Sequence, residues 1–140
     1  MPIRCEIVSQ DRQVFSGEAD MVVVPGSAGV MGILPHHSPL LSTLQYGVIT
    51  VRSKVAELFF TVAGGIVEVQ PDQVTVLADA AENVAEIDVA RAEAAKRRAE
   101  EMLAKGLPKD TDAYLSLQAS IRRSNLRLSA AKRFHNHSQG

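Results

Sequence analysis

The chain has 140 residues, 46% of them hydrophobic, and a net charge of −1. That length suits one domain with an appendage, and the apolar share allows a core that buries roughly two-thirds of the unfolded surface. No run of about 18 apolar residues occurs, which excludes a membrane-spanning helix, and a single cysteine excludes an internal disulfide and a cysteine-based zinc site.

In chain order, Ile3, Cys5 and Ile7 alternate with Arg4, Glu6 and Val8, the period of a half-buried strand. Cys5 therefore reads as a buried structural thiol, which fits a reducing, cytosolic setting. The stretch MPIRCEIVSQ lacks the long apolar segment of a secretory signal. MVVV is a second strand, ending at Pro25-Gly26. In GVMGILPHHSPLL, residues 29–41, Pro35 and Pro39 bracket His36 and His37. An extended loop anchored by Leu34, Leu40 and Leu41 is predicted there, a rigid docking surface. The histidine pair has no further ligands at metal-site spacing, since His135 and His137 lie in the tail.

YGVITVRS, VAELFFTVAG, GIVEVQ and QVTVLAD read as further short strands, up to about Asp79. Pro71-Asp72 suits a tight turn. Gly64-Gly65 marks a turn or a close backbone approach, and no phosphate-loop motif surrounds it. Strands at this spacing, with no helical pattern between them, predict an antiparallel sandwich or barrel.

After Glu82 the period changes. Asp88 is a candidate N-cap. A helix from it runs to about Ala104, where Gly106 and Pro108 stop it. Asp110 or Thr111 caps a second helix reaching about Lys132, and the tail from Arg133 is expected to fray. Tyr114, Leu117, Ile121, Ser124, Leu128 and Ala131 form one stripe on the second helix, against Ala92, Ala95, Ala99 and Met102 on the first. The predicted fold is α+β, an N-terminal antiparallel β-sandwich over residues 1–84 followed by a C-terminal αα-hairpin over 85–140. Charge divides the same way. Residues 1–84 hold four basic and nine acidic groups, whereas 85–140 hold eleven and seven, so two modules with different partners are expected. The alanine-rich seam packs modestly and suits a mobile arm on a rigid platform.

Arg91 and Arg98 are seven apart on one helix face, and Arg123 and Arg127 are four apart on the other helix. If the hairpin closes, two pairs of guanidinium groups converge, and guanidinium forks bind phosphate oxygens bidentately. Asp88 could steer Arg91 or accept from a ligand. The plainer alternative is a set of solvated faces with pairs such as Arg97–Glu101. No nucleophile-elbow motif or cleft-forming carboxylate pair points to catalysis. Nucleic acid is disfavoured, because Tyr114, the hairpin's aromatic before the tail, lies on the seam and the pI is about 6.4. Two other readings stay open: a β-sandwich enzyme or metal protein using His36 and His37, and a nucleic-acid module using the basic hairpin.

GILPHHSPLLSTLQYGVITV, AGGIVEVQPDQVTVLADAAE and IDVARAEAAKRRAEE together resemble the epsilon subunit of bacterial F-type ATP synthases, in order and over nearly the whole chain. The resemblance implies a ten-stranded sandwich and a helical hairpin in a non-catalytic subunit of the central rotor stalk. It implies binding to the gamma subunit and the c-subunit ring, help in coupling proton translocation to ATP synthesis, and a place on the cytoplasmic face of the plasma membrane without insertion. The ring-facing loop would include Leu34, His37 and Leu40. Many relatives carry Gly-Glu-x-Gly before that loop; here Gly29-Val30-Met31-Gly32 puts an apolar side chain in place of the acid. IDVARA, residues 87–92, is similar to the I(L)DxxRA motif that binds ATP in some epsilon subunits. By that similarity Glu82, Ile87, Asp88, Arg91, Arg98, Arg123 and Arg127 would bind ATP as a regulatory ligand. ATP would hold the hairpin folded; without it the hairpin would reach the alpha/beta hexamer and suppress hydrolysis.

Overall fold

The computed structural model describes residues 1–134. Eight strands precede two helices among them: β1 (Ile3–Val8), β2 (Gln13–Ala19), β3 (Met21–Gly26), β4 (Gly29–Ile33), β5 (Leu40–Arg52), β6 (Glu57–Val69), β7 (Gln73–Ala78), β8 (Ala81–Asn83), α1 (Val89–Ala104) and α2 (Asp112–Phe134). A single 3₁₀ turn, Val84–Glu86, links the strands to α1. Histidines 135 and 137 lie outside the described residues.

The strand order is β2-β1-β7-β6-β5-β3-β4, with β8 beside β6. Every pairing is antiparallel except β1 with β7, which is parallel. β5 and β6 are 13 residues each and pair along almost their whole length. The two halves of β6 have different outer neighbours. Gly65–Val69 pairs with β7, whereas Phe60–Val62 pairs with β8. The long strands thus run through both layers, and counting each of them twice turns the eight strands into the expected ten.

Three sequence expectations are corrected here. VAELFFTVAG and GIVEVQ are one strand, so of the two roles expected for Gly64-Gly65 the close backbone approach holds and the turn does not. A Cβ on Gly65 would lie 2.3 Å from the Leu77 carbonyl oxygen, so the glycine permits the strands to close. The strand at YGVITVRS begins six residues earlier, at Leu40, and GVMGI of the expected loop is β4. Arg133 and Phe134 are helical rather than frayed. The Pro71–Asp72 turn forms as predicted, with Gln70 and Gln73 exchanging backbone hydrogen bonds of 2.8 and 3.4 Å across it.

Alternation sets the core. Ile3, Cys5 and Ile7 of β1, Val74 and Val76 of β7, and Val22 and Val24 of β3 are fully buried and meet Ile49, Phe60 and Val62 between the layers. Phe15 tilts against Phe60 with ring centroids 5.3 Å apart, a favourable edge-on geometry.

The hairpin caps as the residues dictate. The Asp88 carboxylate accepts from the Arg91 backbone N–H at 3.0 Å, and Gly106 takes the left-handed φ of 88° that ends α1. Thr111 Oγ1 accepts from the Tyr114 N–H at 3.3 Å and starts α2. Ala92, Ala99, Ser124 and Ala131 are buried, as the stripes predicted, but Met102 is half-exposed and leaves the seam.

Candidate functional site

Phe59 and Phe60 point to opposite faces of β6. Phe60 enters the sandwich core, while Phe59 joins a second apolar cluster with Val84, Ile87, Ala130 and Ala131, flanked by Val48 and Phe134. This cluster is where α2 docks on the sandwich. Phe134 stacks on Phe59 with centroids 4.3 Å apart and 17° between planes. Arg122 places its guanidinium 3.9 Å from the centre of the Tyr46 ring. Arg127 donates to Glu82 with both arms of its fork, Nε to Oε1 at 2.8 Å and an Nη to Oε2 at 3.2 Å. The two residues are 45 apart in sequence, and their side chains are each 26% exposed. The pair therefore ties the last strand of the sandwich to the middle of α2.

A cavity of about 520 Å³ opens between the sandwich and α2. Ser9, Asp11 and Arg12 of the β1–β2 turn form one wall, Thr61, Asp79 and Glu82 a second, and Arg123, Leu126 and Arg127 a third. Of the residues singled out from the sequence, Glu82, Arg123 and Arg127 converge here. Ile87 is buried in the second cluster, directly under α2. Asp88 meets Arg91 through the backbone N–H rather than the guanidinium, so its contact is a helix cap. Arg91 and Arg98 are exposed on α1 and do not line this cavity. Among the described residues, the guanidinium groups of Arg12, Arg91, Arg98 and Arg123 make no hydrogen bond or ion pair, and Arg97 forms no ion pair with Glu101. The sequence reading missed Arg12, Thr61 and Asp79. One signal was present for Thr61: FFTVA, residues 59–63, is a nearly unbroken apolar run, and such a run marks a strand covered on both faces.

At the other end, Leu34, Leu40 and Leu41 are exposed, and Val30 is 76% exposed. His36 adopts a φ of 68°, and its backbone N–H donates to the Pro71 carbonyl at 2.7 Å, fixing the loop to the β6–β7 turn. His37 Nδ1 lies 2.6 Å from the Ser38 carbonyl oxygen. Among the described residues no group of His, Cys, Asp and Glu is placed to hold a metal, and no helix is long and apolar enough to cross a membrane.

The molecule is a β-sandwich carrying a helical hairpin, with a cavity where α2 meets the sandwich. Residues 2–84 match the family model described as ATP synthase, Delta/Epsilon chain, beta-sandwich domain, and residues 85–132 match that of the long alpha-helix domain. The ATP synthase epsilon chain of Dehalococcoides mccartyi is 46% identical over 138 residues, covering 98% of this chain and 97% of that one. That of Syntrophobacter fumaroxidans is 44% identical over 131 residues, covering 94% and 96%. The chain belongs to the delta/epsilon family of ATP synthase subunits, and these relatives are bacterial epsilon chains. A chain of the mitochondrial ATP synthase of Euglena gracilis shares the fold with a TM-score of 0.73 at 20% identity, covering 94% of this chain and 81% of that one. One from Tetrahymena thermophila has a TM-score of 0.58 at 13% identity, covering 94% and 97%.

Proposed function

We propose that this chain is a rotor-stalk subunit of a proton-translocating ATP synthase and that its hairpin is a nucleotide-responsive brake on ATP hydrolysis. The sandwich binds the gamma subunit and, through Leu34, His37 and Leu40, the c-subunit ring. The complex places it peripherally on the cytoplasmic face of the plasma membrane. ATP is held by Glu82, Ile87, Asp88, Arg91, Arg98, Arg123 and Arg127 and keeps the hairpin folded. When released, the basic arm reaches the alpha/beta hexamer and blocks rotation.

The observation that carries the brake is the thinness of the dock. Among the described residues α2 meets the sandwich through an aromatic stack worth about 0.5–1.5 kcal/mol beyond its area, a cation–π contact of about 0.5–1 kcal/mol and a partly exposed ion pair of about 1 kcal/mol or less, over the small apolar cluster of Phe59, Val84, Ile87, Ala130 and Ala131. The alanines beneath add little area. Saturation to roughly 100 times Kd adds about 2.7 kcal/mol to the closed state, which is comparable, so a ligand with differential affinity shifts the arm. Arg91→Ala or Arg123→Ala is expected to weaken ATP binding more than about tenfold. Calorimetric titration of ATP into the purified chain tests this, and unchanged binding in both variants refutes the site.

A further inference from the structure

Resting on the nucleotide reading above, we infer that the phosphates of the ligand sit in the cavity between the sandwich and α2, and that Arg12 of the β1–β2 turn is a further ligand-binding residue. Three arginines, Arg12, Arg123 and Arg127, line the cavity. Arg127 is committed to Glu82 through two hydrogen bonds. Arg12 and Arg123 are not committed to any partner among the described residues, and they stand on walls contributed by different modules. Two arginines without side-chain partners on the lining of one concave space offer forks that match phosphate oxygens, beside the carboxylates of Asp11, Asp79 and Glu82.

The remaining lining decides what kind of anion. Asp11 accepts from the Ser9 hydroxyl at 2.9 Å, which holds it to its own turn. The Asp79 carboxylate has no hydrogen-bond partner of its own among the described residues and lies beside Gly64, where a Cβ would come 2.9 Å from its Oδ2. An acceptor of this kind repels a bare anion and selects one that also carries donors. A nucleoside polyphosphate has both, with phosphates for Arg12 and Arg123 and hydroxyl or amino hydrogens for Asp79. The cavity volume of about 520 Å³ falls within the usual range for small-molecule sites. Arg123 belongs to both this cavity and the hairpin, so a phosphate bridging it to Arg12 ties α2 directly to the sandwich. Closure of the arm then follows from one bridging contact.

The test is titration of the full-length chain with ATP and, separately, with inorganic pyrophosphate, for wild type, Arg12→Ala and Arg12→Lys. Arg12 is exposed, so circular dichroism should show both variants folded. Arg12→Ala should weaken ATP about tenfold or more, and Arg12→Lys should restore part of the loss. Pyrophosphate should bind more weakly than ATP and lose affinity in the same variant. ATP should also shift the backbone amide resonances of residues 9–12. Unchanged ATP affinity in Arg12→Ala, or amide shifts confined to α1, overturns the inference and leaves the nucleotide reading standing on the α1 arginines. Pyrophosphate binding that depends on Arg12, without ATP binding, keeps the cavity as a phosphate site and sinks the nucleotide reading. Binding of neither probe by wild type sinks both.

Discussion

Cys5 lies wholly inside the sandwich, where burial and then the charge of Glu6 push its thiol pKa up from 9.0 to about 12. The folded value exceeds the unfolded one, so the thiol's contribution is intact below 9.0 and is lost as pH climbs towards about 12. The slope reaches about 1.4 kcal/mol per pH unit inside that window. Thermal melts across the window should fall more steeply for the wild type than for Cys5→Ala; parallel slopes would show that the thiol does not titrate there. Gly65 makes a second residue-scale case. A Cβ there meets backbone at 2.3 Å, and its φ is 126°. Gly65→Ala should therefore lower stability by about 2 kcal/mol or more. Gly32→Ala meets only the methyl end of Met21, at 2.4 Å, which swings aside at a cost of about 1 kcal/mol or less. Urea midpoints check the contrast, and equal midpoints contradict it. At this scale the sequence was legible wherever the partner is local. Asp88 caps a helix three residues on, and any Asp at that place before an apolar-periodic run announces it. Glu82 and Arg127 were both singled out, yet nothing local shows that they bind each other across 45 residues.

Among the elements, β6 and α2 decide the site. The sequence showed β6 as two strands because Gly64-Gly65 resembles a turn, and turns and close strand approaches both call for glycine. The burial of β6 on both faces made Phe59 available to α2. Helix stripes were readable from period alone, but Met102 shows the limit: it lies on the seam by angle yet is half-exposed, near the C-terminal end of α1. The dock makes a prediction of its own. Arg127→Ala or Glu82→Gln removes the one ion pair joining β8 to α2 among the described residues. Amide exchange in the second half of α2 should accelerate by roughly fivefold for a loss of about 1 kcal/mol, since the pair is partly solvated. Exchange rates matching wild type would show that the apolar cluster alone holds the helix.

For the molecule as a whole, the main core draws only on strands, from Ile3 to Ala78. A chain ending after Ile87 should therefore fold, melt cooperatively and, on the proposed function, bind the gamma subunit. It should also bind a hydrophobic dye more strongly, because Phe59, Val84 and Ile87 lose their cover of Ala130, Ala131 and Phe134. Loss of the cooperative melt would contradict two separable modules, and unchanged dye binding would contradict the dock. Sequence alone determined the change from strand to helix period, the helix caps and the family, because each follows from local spacing or from a pattern shared along the chain. Only the tertiary structure decided that Glu82 is paired with Arg127, that Arg12 and Arg123 line one cavity, and that Arg91 and Arg98 stand apart from it. Those facts depend on how two modules meet, and the meeting is set by a few long-range contacts that leave no periodic trace in the chain.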